Sequence, residues 1–295
     1  TGPFVNLFVF GLGFSAGYFA GRRVARKDRV SGTVRSREKA EALSAAWINA
    51  HVFGPGDRDG AIDADLAAAD ALLISVPPGA DGDPILAACA PQIAAAPNLR
   101  WIGYLSTIGV YGNHQGAWVD EQTPATPTNA RSIERAQAER AWLAFGAANN
   151  KPVQIFRLAG IYGPGQSQLV QLARGTAKRI IKPGQVFNRI HVEDIARTLD
   201  ASLERPRPGA IYNVTDNEPA PPQDVVAFAA NLCGVVPPPE ISIDDANLTA
   251  MGRSFYDESK RVRNNLLRDE LGVTLAYPTY REGLKALRDA GEGPR

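Results

Sequence analysis

The sequence predicts an α/β fold: a doubly wound parallel sheet covered by helices on both faces, with a smaller C-terminal α/β lobe. Three observations predict it. Short apolar runs alternate with helix-length segments through the first half of the chain. The first apolar run ends in a glycine turn that opens a helix. Beyond Gly163 proline and glycine become frequent, apolar runs shorten and loops separate the helices.

Val5 to Phe10 is apolar without alternation, as a parallel strand buried on both faces requires. The longer stretch FVNLFVFGLGFSAGYFAG resembles a signal or membrane segment, but Asn6 and four glycines interrupt it and no basic region precedes it. A strand turning into a helix at Ser15 explains it better. Val30 to Val34 is the second strand. Arg37 to Ala50 carries a helical pattern, with Ala40, Leu43, Ala46 and Trp47 on one side. His51 to Phe53 is a weak third strand, and Ala71 to Val76 a strong one that stops at Pro77-Pro78-Gly79. Pro84 to Ala95 is a helix with proline at its first position. Leu99 to Leu105 is a strand, Arg131 to Asn149 a long helix, and Val153 to Leu158 the next strand. In the second half, Pro222 to Cys233 is helical, while PRPG at 206–209 and VPPPE at 236–240 are turns or stiff connectors.

With 295 residues and 44% hydrophobic content, the chain can bury one large domain, or one domain with an appended lobe. Lys plus Arg is 32 and Asp plus Glu 31, so no basic stripe suggests nucleic acid and no acidic tail suggests disorder. The run from Arg22-Arg23 to Arg29 reads as one polar helix end. Cys89 and Cys233 are far apart and neither sits in a CxxC, and His51, His114 and His191 are scattered. No disulfide framework or metal site is expected, and a reducing cytoplasm is the expected compartment.

Gly11-Leu12-Gly13-Phe14-Ser15-Ala16 has the form GxGxxA, after a strand and at the start of a helix. The first glycine permits the tight turn, the second lets the backbone approach a pyrophosphate, and the small third residue lets helix and strand pack closely. That context makes the sheet Rossmann-type and assigns Gly11, Gly13, Phe14 and Ser15 to a dinucleotide. A tight packing turn without a ligand is the alternative. About twenty residues on, such folds often carry an acid for the ribose hydroxyls. This chain has Thr33-Val34-Arg35-Ser36-Arg37 there. Arginine pairs with a 2′-phosphate that an acid would repel, so Arg35 and Ser36 favour NADP, with NAD the second choice. The alternative is that Arg35 and Arg37 are solvated at a helix N-terminus, an unfavourable place for positive charge. Residues 1–165 are then the dinucleotide-binding domain, and 166–295 mainly the lobe, with some segments returning to the first domain.

Three further segments carry a resemblance: LSTIGVYGNHQGAWVDE at Leu105–Glu121, FRLAGIYGPG at Phe156–Gly165 and RIHVEDIA at Arg189–Ala196. With the glycine turn they resemble the extended short-chain dehydrogenase/reductase superfamily, the sugar epimerase and dehydratase group. The SVPPG strand end, YLSTIGVYG and the C-terminal ESKRVRN…LGVTLAYPTYREGL look like an atypical bacterial branch described as NAD(P)-dependent epimerase/dehydratase-like. The resemblance covers essentially the whole chain.

It implies that Thr107 hydrogen-bonds the reacting oxygen, that Val76 and Pro77 pass the cofactor ribose, and that Gly160, Ile161 and Tyr162 lie beside the nicotinamide. In the family a helix carrying YxxxK follows, with a glutamate after three more residues. Aligned on Glu139, this chain has Arg131 at the tyrosine position and Arg135 at the lysine position. Arg135 can still donate to ribose hydroxyls. Arg131 cannot cycle a proton near neutrality, so its natural role is to hold a substrate carboxylate or phosphate. Tyr111 and Tyr162 are the candidate acids, each with packing as its alternative. His191 and Asp194 match a structural helix start. Arg189, with Arg157, Arg253 and Asn188, can recognise an anionic or sugar-like ligand or be ordinary salt-bridged surface. The literal YxxxK at Tyr256–Lys260 comes too late in the chain and reads as lobe structure. The resemblance implies an oxidoreductase or epimerase acting on a small polar or anionic, sugar-like substrate, with a homodimer as the family's frequent assembly. The alternative is a non-catalytic NADP-binding sensor that lost its proton relay. Neither nucleic acid nor membrane is expected as a partner.

Overall fold

The computed structural model describes residues 4–54 and 57–294, without the side chains of residues 57 and 58. The chain divides into two compact units. The first comprises the described residues up to Thr107, with Ile133–Arg157 and Ile195–Tyr212. The second comprises Ile108–Ser132, Leu158–Asp194 and the described residues from Asn213 onward. A boundary at 165 is therefore too late. The second unit starts at Ile108 because the short strand Trp118–Val119 pairs with Arg261–Val262, far along the chain.

The first unit holds most of one sheet, in the order Ile211–Val214, Val153–Leu158, Trp101–Thr107, Ala71–Ile74, Asn6–Phe10, Arg29–Val34, Ile48–Gly54, Asp57–Arg58. Asn6–Phe10 pairs in parallel with Arg29–Val34 on one side and Ala71–Ile74 on the other. The edge pair, Ile48–Gly54 with Asp57–Arg58, is antiparallel. Strand order reverses at Asn6–Phe10, the switch point beside which ligands of such sheets bind, at the strand C-termini. Phe8, Phe10, Leu72, Ile74, Ile102, Tyr104, Trp142 and Ile155 are buried in one cluster, which accounts for the uninterrupted apolar runs.

Two local expectations change. The helix from Arg37 ends at Ser44, not Ala50. Trp47 adopts a left-handed φ of 61° and is 86% exposed, and Ile48 then turns inward to pair with Val30. Of the apolar stripe that suggested a longer helix, Ala40 and Leu43 lie on the helix, while Ala46 and Trp47 lie in the turn before the strand. Arg23, expected on a polar helix end, is buried: its guanidinium lies 2.7 Å from Asp28 and 2.9 Å from Asp200.

The second unit packs Leu169, Val225, Ala229, Tyr280, Leu284 and Leu287 together. Its helix Pro222–Cys233 starts with proline in the first turn and stops at Gly234, whose φ of 67° closes the C-terminus. Asp194 accepts from the backbone N–H groups of Ala276 (2.6 Å) and Tyr277 (3.0 Å), which ties down the C-terminal segment. No helix among the described residues is long and apolar enough to cross a membrane.

Candidate functional site

The glycine turn has two different glycines. Gly11 has φ +88°, and a Cβ there would stand 3.0 Å from Val76 Cγ2, so glycine is required by the backbone and by the neighbouring strand end. The Gly11 N–H donates to Thr33 Oγ1 at 2.9 Å, and the Leu12 N–H to the Thr33 carbonyl at 2.9 Å. Gly13 is extended (φ −82°, ψ −160°), and a Cβ there would meet only the Gly11 carbonyl, at 4.0 Å. The protein itself gives no packing reason for glycine at 13. Gly13 also starts the helix Phe14–Ala25 with no side-chain cap and no acid in the first turn. Unpaired N–H groups at a helix start carry partial positive charge and suit an anion. Phe14 is exposed beside them and Ser15 is buried. These residues fit a pyrophosphate and leave room for it.

At the end of Arg29–Val34, Arg35 is exposed, and Ser36 caps the helix Arg37–Ser44 by accepting from the Lys39 N–H at 3.3 Å. Lys39 was not singled out from the sequence. Its Nζ donates to the Leu12 carbonyl at 2.8 Å, so its ammonium stands on the glycine turn. Val76 touches that turn through the Gly11 approach, and Pro77 next to it is exposed.

Thr107 ends the strand Trp101–Thr107 and is half-buried. The residue before it, Ser106, donates to Glu139 Oε1 at 2.5 Å. Glu139, 3% exposed, also accepts from Arg157 Nε at 3.1 Å and Nη2 at 2.7 Å. Arg157 is therefore a buried structural partner, not a ligand-recognising arginine. One helical turn before Glu139, Arg135 Nη1 donates to the Leu105 carbonyl at 2.9 Å and to Tyr104 Oη at 3.3 Å. Tyr104 is fully buried, and burial pushes its phenol well above the usual tyrosine range. The strand end and the helix are thus locked together around Thr107 and Arg135.

In the second unit, Asn129 Oδ1 caps the helix carrying these arginines through the Ser132 N–H (3.0 Å), and Glu258 accepts from Thr128 (2.7 Å) and Asn129 (3.1 Å). Arg131 is exposed, with its guanidinium 5.2 Å from the centroid of the Phe255 ring. Gly160 is exposed at the start of a short strand.

The two tyrosines proposed as acids are not placed for it. Tyr111 is fully buried and its hydroxyl donates to Asn213 Oδ1 at 2.8 Å. Tyr162 points into the second unit's core, with its hydroxyl 1.9 Å from where a Cβ on Gly283 would stand. Burial raises its pKa further. Both are packing residues, because a catalytic phenol must reach its proton acceptor.

Arg189 is likewise engaged: Nη1 donates to the carbonyls of Phe187 (3.1 Å) and Ala220 (3.3 Å), and the guanidinium lies 5.9 Å from the Tyr280 ring centroid. These bonds hold Nη1 on the backbone of its own unit. His191 Nδ1 accepts from the Glu193 N–H at 3.1 Å, and burial lowers its pKa to about 4. Tyr256 is buried against Phe187, and Lys260 donates to the Gly112 carbonyl (2.6 Å) and Glu258 (2.7 Å), so the late YxxxK is internal scaffolding. Among the described residues no three His, Cys, Asp or Glu side chains gather to hold a metal.

The family model for the NAD dependent epimerase/dehydratase family matches residues 85–215. A functionally unknown conserved protein from Silicibacter pomeroyi DSS is 51% identical, with a TM-score of 0.88 over 97% of this chain and 99% of that one. Protein YeeZ of Escherichia coli K12 is 29% identical over 92% of this chain and 95% of its own length. The UDP-glucuronic acid 4-epimerase of Bacillus cereus, solved in complex with NAD, shares the fold at 16% identity, with a TM-score of 0.74 over 96% of this chain and 97% of that one. Residues 85–215 thus carry the sequence pattern of the NAD dependent epimerase/dehydratase family, and the chain as a whole shares the fold of the solved epimerase.

Proposed function

We propose that this chain is an NADP-dependent oxidoreductase or epimerase acting on a small, polar, anionic and sugar-like substrate. The observation that carries the reading is Gly13: an extended position with open space where a side chain would stand, at an uncapped helix start on the sheet's switch point. When bound, the nicotinamide would accept or return a hydride at the substrate. The chain's own residues divide the remaining work. The turn Gly11–Ser15 holds the pyrophosphate, and Arg35 pairs with the 2′-phosphate. Arg135, with five donors in its guanidinium, serves the ribose hydroxyls from beside Leu105. Thr107 orients the reacting oxygen, and Arg131, steadied over Phe255, holds an anionic group. A substrate of the kind named for the Bacillus cereus epimerase, a nucleotide-linked sugar acid, has such a group. The reducing cytoplasm and a homodimer complete the reading, and light scattering of the purified protein tests the assembly.

A second reading is a non-catalytic NADP-binding sensor. It is favoured by the burial of both Tyr111 and Tyr162 and by arginine at the position of the family's tyrosine. The two readings separate on incubation with NADP and a panel of nucleotide sugars and sugar acids, followed by nicotinamide absorbance and mass spectrometry of the sugars. Turnover of any member supports the enzyme. Tight cofactor binding with every sugar returned unchanged supports the sensor.

A further inference from the structure

We infer that Lys39 is a specificity-determining residue for the cofactor: together with Arg35 it forms a site for a phosphate monoester on the adenosine ribose, supported on the carbonyl of Leu12. The inference rests on the NADP reading above and deepens it. In a switch-point sheet the adenosine ribose lies between the glycine turn and the end of the second strand, and the residues there decide between a 2′-hydroxyl and a 2′-phosphate. Arg35 follows that strand directly. Lys39 comes from the next helix, and its Nζ reaches back 2.8 Å to the Leu12 carbonyl, inside the glycine turn itself. Lys39 therefore stands on the glycine turn, and Arg35 follows the strand that the turn is bonded to through Thr33.

The charge of Lys39 is left for a ligand. Among the described residues no carboxylate pairs with it, and its one acceptor is a neutral carbonyl. An ammonium has three donors, so two remain after the Leu12 bond. The stretch where many such folds carry an acid reads Thr33-Val34-Arg35-Ser36-Arg37, and its first residue, Thr33, accepts from the turn through both Oγ1 and its carbonyl. No negative charge there competes with a phosphate. The backbone is also prepared: Ser36 fixes the start of the helix by accepting from the N–H of Lys39 itself, whose side chain reaches the Leu12 carbonyl.

A lysine that only pinned the turn would affect NADPH and NADH alike. A lysine that binds the 2′-phosphate affects NADPH alone. The test is fluorescence titration of the full chain with NADPH, NADH, 2′-AMP and 5′-AMP, for wild type, Lys39→Met and Lys39→Arg, with thermal unfolding as the check on folding. The expected result is that Lys39→Met weakens NADPH and 2′-AMP about 10- to 100-fold, the size of a charge-assisted hydrogen bond. NADH and 5′-AMP should change little, and Lys39→Arg should keep most of the NADPH affinity. Equal weakening of NADPH and NADH, or no change in either, with wild type still preferring NADPH, overturns the role of Lys39 and leaves the NADP reading standing. A wild type that does not prefer NADPH overturns that reading and this inference with it.

Discussion

Arg157 grips Glu139 with two nitrogens, Nη2 at 2.7 Å and Nε at 3.1 Å, and the same carboxylate receives Ser106 at 2.5 Å. Arg157 and Glu139 are both at most 5% exposed, so the pair is desolvated and joined through two guanidinium nitrogens. It joins the C-terminal ends of two neighbouring strands to the helix that carries Arg135. Removing one partner strands the other charge in the core. Glu139→Ala should therefore lower unfolding stability by about 3–5 kcal/mol in urea denaturation. A loss below about 1 kcal/mol would mean that the pair is not the clamp around Thr107.

Tyr111 and Thr107 separate structure from chemistry in one segment. Tyr111→Phe removes the donor to Asn213, so it should cost about 1–3 kcal/mol of stability and leave turnover unchanged. Thr107→Ala should slow turnover, or weaken substrate-analogue binding, while NADPH affinity holds. A Tyr111→Phe protein that folds normally but loses turnover would restore that tyrosine as the acid.

The second unit should lose stability as pH rises above neutrality. Asp216 is 1% exposed; one oxygen accepts from the Glu218 N–H at 3.0 Å and the other has no hydrogen-bond partner among the described residues. Burial raises its pKa from 3.8 to about 8. The folded value lies above the unfolded one, so its contribution is complete below pH 3.8 and is lost as pH rises through 8. His191 runs the other way: burial lowers it from 6.5 to about 4, so its contribution is present above 6.5 and lost as pH falls toward 4. From pH 6.5 to 8, Asp216 alone of the two acts, and stability should fall by about 2 kcal/mol. Asp216→Asn should flatten that window. An unchanged slope in denaturation at several pH values would assign it elsewhere.

Arg35→Asp should reverse the cofactor order, weakening NADPH by charge repulsion and offering NADH a ribose acceptor. Equal affinities before and after the change would remove the 2′-phosphate argument for Arg35.

The sheet and its glycine turn were legible because burial on both faces leaves uninterrupted apolar runs such as Ala71–Val76, and because Gly11 and Gly13 stand at a strand–helix junction. Pairings between distant segments left no local trace. Glu139 and Arg157 were each noticed, one as an alignment anchor and one as a ligand arginine, but nothing in the spacing joins a helix carboxylate to a strand guanidinium. Trp118–Val119 pairing with Arg261–Val262 moved the unit boundary for the same reason. The tyrosines failed on direction: their positions follow the family segments, but which way a hydroxyl points depends on Asn213 and Gly283, far along the chain. Lys39 had one faint signal, a lysine in the first helical turn after Arg35, where the helix dipole disfavours it without an anion.

The most direct test of the central claim is NADPH affinity in Gly13→Val, measured beside thermal stability. The extended backbone at Gly13 suits any residue, and a Cβ there meets no protein atom closer than 4.0 Å. A glycine kept for the cofactor predicts a variant that folds as well as wild type and loses NADPH binding by at least about 100-fold, since its side chain would occupy the pyrophosphate's approach. A folded Gly13→Val protein that binds NADPH as wild type does would contradict the account.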